Sequence, residues 1–437
     1  MKKEESVKIT LPNARLLLLA TFVLAAAPAL RADSTSPEPA PTPTPAAPAA
    51  AAATTQDAPS EQKTRVDLYG AAMLDTGYET KQSDPNWFDV MRPTKLPAYP
   101  NEFGGDGHWY AGVRQSRFGV KTYTPTSLGE LKTIFEFELF GTGVDAGQTT
   151  FRLRHAWGEL GQLGAGQTWS PYMDPDVFPN SIEYWGPNGM VFFRNVQLRW
   201  TPWQKGDSNA MIAIERPGAS ADQGVYAGRI ELSGVTARFP LPDLSGHVRL
   251  ARDWGHLQVA GILRRMQWDD LNGDQYNLSG KATGWGFNVS SNLKIQKKYV
   301  ARLQVAYGHG VENYWNDAPV DVGIQNNPGN AVTPVVGKPL PILGIVAFMD
   351  FNWNAKFTSS AGYSLVDIKN TDAQAASAFK RGQYALANVL YYPAANLFLG
   401  PEVQWGKREN YSDGFSSDDV RIQFSVKYSF KYQLGGK

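Results

Sequence analysis

The stretch Val420-Arg-Ile-Gln-Phe-Ser-Val-Lys-Tyr-Ser-Phe-Lys-Tyr432 decides the fold class. Apolar or aromatic residues hold its even positions, and polar residues hold every odd position between them. Such period-two alternation predicts a β-strand with one apolar and one polar face. Soluble strands have a modal length of about 5–6 residues, whereas a tilted strand crosses a bilayer with roughly 9–11. We interpret the stretch as the closing strand of a membrane barrel; an amphipathic strand of a soluble β-sandwich is the alternative.

The alternation also assigns the two faces of this strand. It predicts that Phe424, Tyr428, Phe430 and Tyr432 face lipid and its interface, and that Arg421, Lys427 and Lys431 face water. Closure of a barrel would pair the strand with Val66–Leu74 at the other end of the body. The chain continues past the alternation as Gln433-Leu-Gly-Gly-Lys437, a tail that the pattern does not explain.

Similar alternation recurs through the chain and predicts sixteen strands, the last being the terminal one. The others are Arg65–Tyr78, Arg114–Lys121, Leu131–Leu139, Phe151–Gly158, Gln162–Thr168, Arg194–Thr201, Asn209–Arg216, Leu244–Asp253, His256–Gln267, Thr283–Leu293, Tyr299–His309, Ile342–Trp353, Lys356–Ile368, Gln383–Tyr391 and Leu397–Lys407. The fold predicted is therefore an all-β, transmembrane antiparallel β-barrel.

The connections between the predicted strands are of two kinds. Some are a few residues long, such as Pro125–Gly129, and others are long, such as 79–110, 170–192, 217–241 and 310–340. Short turns on one side and long loops on the other are typical of outer-membrane barrels. An even strand count places both ends of the barrel on the short-turn, periplasmic side. Sixteen strands leave an aqueous lumen, which accounts for the polar inward positions.

The front of the chain is not part of this body. Lys2, Lys3, Lys8 and Arg15 precede an apolar run from Leu16 to Leu30, which predicts a secretory signal peptide over residues 1–32. Residues 33–64 are rich in Ala, Pro and Thr and predict a disordered periplasmic linker. The barrel domain would then be 65–437, in the outer membrane of a Gram-negative bacterium.

Composition excludes several classes of function. The chain has no cysteine, which rules out disulfides and thiol catalysis. The net charge is +1, and loss of residues 1–32 removes five cations and two anions, giving −2; neither value favours nucleic-acid binding. The five histidines lack metal-ligand spacing, and no hydrolase motif occurs. We therefore predict no cofactor, no metal site and no enzymatic activity.

The segment 170–192, which follows the fifth predicted strand, is the candidate pore loop. It carries Asp174, Asp176 and Glu183 among several Pro, Asn and Gly residues, and we expect it to fold inward as a constriction loop. The facing wall would be cationic, because the polar faces of the second, fourth and sixth strands carry Arg117, Arg152, Arg154 and Arg199. Arginine stays charged and binds carboxylates in a bidentate way. These seven residues are the predicted pore-contacting and solute-contacting set.

A structural role for the same arginines is the alternative, since salt bridges to Asp174, Asp176, Asp67 or Glu136 would pin the loop. Arg114 and Arg194 have the opposite parity and are expected at a rim or loop junction. Parity also places His155, beside Trp157, on the lipid face. One β-bulge would reverse such assignments.

Three motifs give the chain a family resemblance: Arg114-Gln-Ser-Arg-Phe-Gly-Val120, Phe151-Arg-Leu-Arg-His-Ala-Trp-Gly-Glu159 and Gly166-Gln-Thr-Trp-Ser170. Through them, and on through Asp174, Pro179, Gly186-Pro187 and Arg194–Arg199, it resembles the DcaP-like family of outer-membrane porins. The resemblance implies a trimeric barrel with a constricting third loop. It also implies passage of small anionic solutes such as dicarboxylates and aromatic carboxylates.

The function predicted from the sequence is passive or facilitated diffusion of such anions through an arginine-lined constriction. The expected partners are the solutes, outer-membrane lipid and lipopolysaccharide, and two further copies of the chain in a homotrimer. A non-specific or sugar-selective porin is the alternative, and an outer-membrane barrel hydrolase is a more distant one.

Overall fold

The chain forms a closed antiparallel β-barrel in a computed structural model that describes residues 63–219, 227–296 and 298–436. Its strands are β1 (Arg65–Glu79), β2 (His108–Gly112), β3 (Arg117–Thr126), β4 (Gly129–Phe140), β5 (Thr149–Leu160), β6 (Leu163–Trp169), β7 (Arg194–Lys205), β8 (Ser208–Glu215), β9 (Val235–Arg238), β10 (Asp243–Arg252), β11 (Gly255–Asp270), β12 (Gly280–Ile295), β13 (Tyr299–His309), β14 (Val322–Asn326), β15 (Val335–Pro339), β16 (Pro341–Asn354), β17 (Phe357–Ile368), β18 (Phe379–Ala394), β19 (Leu397–Asn410) and β20 (Ser416–Gly435). The predicted signal peptide and nearly all of the predicted linker lie outside the described residues.

These strands occupy sixteen positions around the barrel, as the sequence predicts. β14 and β15 pair only with each other as a separate hairpin. β2 and β3 share one position, since both pair with β1, and β9 and β10 share another beside β11. The barrel closes where β1 pairs with β20 along its whole length, from Arg65 opposite Gly435 to Glu79 opposite Arg421. The predicted mate of the terminal strand is thereby confirmed.

The two faces of β20 show how the alternating sequence builds the barrel. Arg421, Gln423 and Ser425 are fully buried, whereas Ile422 and Phe424 are about half exposed. The polar face therefore points inward, where other segments cover it, and the apolar face points outward, where a bilayer would cover it. Gln433 and Leu434 of the tail continue the strand and pair with β1, so most of the tail is part of the barrel wall.

The connections alternate in length around the barrel. Two residues join β3 to β4, β5 to β6, β7 to β8, β10 to β11, β16 to β17 and β18 to β19, all at the end where β1 begins and β20 ends. Three residues join β12 to β13 at the same end. At the opposite end the connections between positions are longer, and the longest include 80–107, 170–193 and 310–340. The predicted sidedness of the connections is confirmed.

Helices contribute little to this fold. The described residues contain six 3-10 helices of three residues each: Pro85–Trp87, Pro93–Lys95, Gly143–Asp145, Pro175–Val177, Ala227–Arg229 and Glu312–Tyr314. No helix in the described part of the chain is long and apolar enough to cross a membrane.

The largest apolar cluster joins long segments to the inner face of the wall. Met91 of the 80–107 segment, Tyr172 and Met190 of the 170–193 segment and Trp315 of the 310–340 segment belong to it. Wall residues such as Val346 complete the cluster. Burial of apolar side chains contributes about 25 cal/mol per Å², so three segments that look like surface loops in the sequence are held against the wall.

Candidate functional site

The 170–193 segment is attached to the wall mainly through its backbone. Its proline, asparagine and glycine residues form no regular element beyond one short 3-10 turn, so its peptide groups need other partners. Inward-facing side chains of four different strands accept hydrogen bonds from its amides: Asn180 N to Asp350 (3.2 Å), Ile182 N to Glu402 (3.0 Å), Gly189 N to Ser364 (2.9 Å) and Val191 N to Gln304 (3.3 Å). The segment therefore runs along the inner face of the barrel.

Asp174 and Asp176 anchor the beginning of this segment by charge. Buried Asp174 accepts hydrogen bonds from Arg249 (3.2 Å), His256 (2.6 Å) and Ser290 (2.6 Å). Arg249 also pairs with Asp176, which is half exposed. Burial favours the neutral acid, but the hydrogen bonds from His256 and Ser290 and the charge of Arg249 prevail and hold the pKa of Asp174 below its usual value. The partner of both aspartates is thus Arg249, not one of the four predicted wall arginines.

Glu183 lies in a different environment further along the segment. Its carboxylate is buried and accepts N–H groups from Met91 (3.0 Å) and Gly186. Burial raises its pKa to about 7, and the nearby charge of Glu402 adds to the rise; the charge of Arg421 and the two amides oppose it. Glu183 therefore ties the 170–193 segment to the 80–107 segment, and it does not pair with a predicted wall arginine.

Four arginines surround two glutamates on the wall opposite. Arg154 is buried and contacts both Glu136 (2.5 Å) and Glu138 (2.6 Å). Arg117 lies 3.5 Å from each glutamate. Arg152 and Arg194 approach Glu138 at 3.8 Å and 3.6 Å. Two negative charges thus face four positive charges, so this part of the wall carries a net charge of about +2 at neutral pH.

Arg199 takes no part in this group. Its guanidinium lies 3.3 Å from Glu159 and 4.4 Å from the ring centroid of Trp157. This local pair and cation–π contact hold it near the short-turn end of the barrel.

A β-bulge in β5 corrects the predicted orientation of His155 and Trp157. Arg154 has no partner in β4, because Glu136 pairs with His155 and Phe137 with Leu153. The extra residue reverses the alternation that follows it. His155 is buried and hydrogen-bonded to Thr168 (3.0 Å), and Trp157 is buried with it, so their predicted lipid-facing placement is wrong. Arg152 precedes the bulge and Arg154 is the extra residue; both face inward, as predicted.

A cavity of about 450 Å³ lies beside these wall arginines; we call it the arginine cavity. Its lining includes five arginines, namely Arg92, Arg152, Arg194, Arg216 and Arg229. Aromatic side chains share the lining: Tyr184, Trp185, Phe192, Phe193 and Trp315. Within the described part of the chain, no aspartate or glutamate is among its lining residues. The arrangement offers positive charge and planar apolar surface to whatever enters.

Of the seven residues predicted from the sequence, Arg152 alone lines this cavity. Arg117 and Arg154 contact Glu136 and Glu138 behind the cavity. The other four, Arg199, Asp174, Asp176 and Glu183, do not line it. Sequence reasoning missed Arg92, Arg216 and Arg229. Arg92 and Arg229 lie in long segments where strand parity gives no information, and Arg216, the last residue of the predicted strand Asn209–Arg216, directly follows β8. Arg194 was expected at a loop junction, and it is the first residue of β7, directly after the 170–193 segment. Its position in the family motif Arg194–Arg199 was the sequence feature that could have identified it as a site residue.

Asp174, Asp176 and His256 also meet the spacing for a metal site, with one donor atom from each within 4.8 Å of the others. Arg249 contacts both carboxylates, however, so a cation already neutralises them. We assign no metal to this cluster.

Comparison with known proteins places this barrel among the porins. The crystal structure of the outer membrane channel DcaP of Acinetobacter baumannii superimposes with a TM-score of 0.68 at 20% identity, covering 84% of this chain and 97% of that chain. An anion-selective porin from Comamonas acidovorans has a TM-score of 0.52 at 12% identity, covering 84% of this chain and all of that chain. No curated protein sequence matches the chain significantly. The sequence model of the DcaP outer membrane protein family matches residues 49–295, and the chain therefore belongs to that family.

Proposed function

We propose that this outer-membrane barrel is a diffusion channel that prefers small anionic solutes, such as dicarboxylates and aromatic carboxylates. The observation that carries the proposal is the uncompensated positive charge at the arginine cavity. Arg117, Arg152, Arg154 and Arg194 share two glutamates, and those glutamates lie behind the cavity lining. Such a surface raises the local concentration of anions and lowers their cost of entry.

The 170–193 segment would act as the constriction loop. It runs along the inner face of the barrel and contributes Tyr184, Trp185, Phe192 and Phe193 to the cavity, where Tyr184 contacts Arg152 (3.4 Å). A carboxylate could be received by guanidinium groups while an aromatic ring contacts the indole and phenyl groups. The contacts are spread over several side chains, which suits conduction because one tight site would block it.

The remaining features of the proposal follow the domain organisation predicted from the sequence. Residues 1–32 would be removed on export, the 33–64 linker would lie in the periplasm on the short-turn side, and three copies would assemble in a lipopolysaccharide-containing membrane. The exposed apolar outer face of the strands would contact lipid and the partner copies.

Reversal potentials in planar bilayers under a KCl gradient test the anion preference. We expect the wild-type channel to favour Cl⁻ over K⁺. The double variant R152Q/R216Q should lower that permeability ratio about threefold to tenfold, since one unit of charge at 4 Å in water contributes about 1 kcal/mol. R238Q is the matched control, because Arg238 is exposed and paired with Asp269 away from the cavity. A dicarboxylate and a benzoate-type anion should reduce the chloride current.

The same experiment separates the alternatives. A cation-selective wild-type channel that carboxylates do not affect would overturn the proposed solute class and leave the barrel intact. Liposome swelling in neutral sugars that is as fast as in carboxylates of equal size would favour a non-specific or sugar-selective porin.

A further inference from the structure

A second cavity adjoins the arginine cavity on the long-loop side of the barrel. It measures about 580 Å³, and its lining comes largely from the 80–107 and 310–340 segments and from residues 374–379; we call it the outer cavity. The two cavities share three lining residues, Arg92, Arg229 and Ala318. The two cavities are therefore neighbours that meet at these three residues.

The two compartments differ in charge. The lining of the outer cavity mixes acids with bases: Asp84, Glu102 and Glu231 stand with Arg92, Lys95, Arg229 and Arg408. The arginine cavity has no acid among its described lining residues. A solute that moves between them passes from a mixed-charge surface to a positive one, and it does so beside Arg92 and Arg229.

Arg92 is held in a fixed position at this junction. Its Nε lies 2.9 Å from Asp317 Oδ1, and both side chains are buried. Its guanidinium lies 4.1 Å from the ring centroid of Trp87 and 4.1 Å from that of Trp185. Asp317 also accepts the backbone N–H of Thr94 at 2.9 Å. One guanidinium thus joins the 80–107, 170–193 and 310–340 segments.

Arg229 occupies the other side of the junction, where it donates a hydrogen bond to the carbonyl oxygen of Ala318 (2.5 Å) and lies 3.6 Å from Asp321. Each junction arginine therefore has an aspartate of the 310–340 segment behind it. The planar guanidinium of Arg92, fixed between two aromatic rings, cannot swing aside as a flexible lysine would. An anion must pass it at a set distance.

We propose that Arg92, fixed between Trp87 and Trp185 and paired with Asp317, forms a charge-selective neck between the outer cavity and the arginine cavity. The proposal rests on the proposed anion channel and adds a second determinant of selectivity, upstream of the wall arginines. The sign of the charge at the neck depends on both partners. Loss of Arg92 leaves Asp317 negative there, whereas loss of the Asp317 charge leaves Arg92 positive.

The test compares R92Q with D317N by reversal potential in a KCl gradient. Both substitutions break the same ion pair. If the Arg92–Asp317 pair only holds the segments together, both variants should change the selectivity in the same direction. A charge-selective neck instead lowers the Cl⁻/K⁺ permeability ratio in R92Q and raises it in D317N, each by about twofold to tenfold. R92K, which keeps the charge, should stay closer to wild type than R92Q. Heat-modifiable gel mobility verifies that each barrel has folded.

Cysteine labelling supplies a second measurement that leaves the ion pair intact. The chain has no cysteine, so A318C introduces a single thiol at the junction. An anionic methanethiosulfonate reagent should react with it faster than a cationic one, and attachment of either should reduce the current.

The outcomes distinguish the proposed neck from the proposed anion channel on which it rests. A cation-selective wild-type channel contradicts the proposed function. An anion-selective wild type in which R92Q and D317N shift together, or do not shift, overturns the neck alone. Labelling of A318C that leaves the current unchanged also overturns it.

Discussion

Asp174 and Glu183, one in each half of the 170–193 segment, are held by opposite kinds of electrostatics. At the beginning, Asp174 is a charged group with Arg249 and His256 as partners, and its pKa is lowered. Further along, Glu183 has two backbone amides as its hydrogen-bond donors, and its pKa is raised to about 7. Both acids are buried in one short segment, so the partners, and not the depth of burial, decide which form the folded protein favours.

The difference predicts opposite responses to pH. A lowered pKa contributes stability that is present above the unfolded value, near 3.8, and is lost as pH falls through the folded value. A raised acid pKa works the other way, because the folded state then binds more protons than the unfolded state between about pH 4.5 and 7. Acid should therefore loosen the Asp174 half, and neutral pH should loosen the Glu183 half.

Removal of Arg249 is the largest test of this comparison. R249A leaves Asp174 buried without its arginine partner, and breaking a buried ion pair costs about 3–5 kcal/mol. We expect a lower midpoint in urea unfolding of the detergent-folded barrel, and faster proteolysis between Tyr172 and Val177. R238A, at an exposed pair, is the matched control and should leave the midpoint unchanged. An R249A midpoint equal to that of wild type would mean that His256 and Ser290 suffice.

The second test concerns the pH dependence at Glu183. A rise in pKa from 4.5 to about 7 corresponds to about 3 kcal/mol of stability lost between pH 4.5 and 7, with no further loss above. E183Q cannot ionise, so that part of the slope should disappear. At pH 5 its stability should be lower than that of wild type, because one of the two N–H donors, from Met91 or Gly186, loses its acceptor.

The measurement for E183Q is the unfolding free energy at pH 5, 6, 7 and 8. D176N serves as the control, since it removes a half-exposed acid of the same segment that pairs with Arg249 and has no contact with Glu183. An unchanged slope in E183Q would place the pH sensitivity at another acid.

How far the sequence could predict these regions depends on whether strand alternation reaches them. In β20 no bulge interrupts the pattern, and the pattern correctly turns Arg421 inward and Phe424 outward. The prediction that Arg421 faces water is wrong, because Arg421 is fully buried and paired with Glu79. In β5 the single extra residue at Arg154 turns His155 and Trp157 inward. A bulge depends on tertiary fit between neighbouring strands and leaves no mark in a period-two pattern.

The long segments mark a second limit. Acids in 170–192 could be recognised as unusual, yet their partner Arg249 lies in β10, outside the three strands to which parity assigned the pairing. The 80–107 segment was treated only as a loop, although Trp87 and Met91 are buried within the barrel. The apolar residues of this segment were the sequence feature that could have predicted its burial. These contacts join segments that are distant in sequence, and they form only when the chain folds. A local sequence pattern therefore does not predict them.

The smallest expected effect is that of D176N, which is compared with D174N in the same half of the segment. Asp176 is half exposed, so its pair with Arg249 should contribute less than about 1 kcal/mol. D176N should therefore lower the urea midpoint only slightly and keep the acid sensitivity, whereas D174N should lower it clearly and remove part of that sensitivity. If D176N proved as damaging as R249A, the exposed pair would be the anchor, and the contrast between the two halves would rest on Asp176 instead of on buried Asp174.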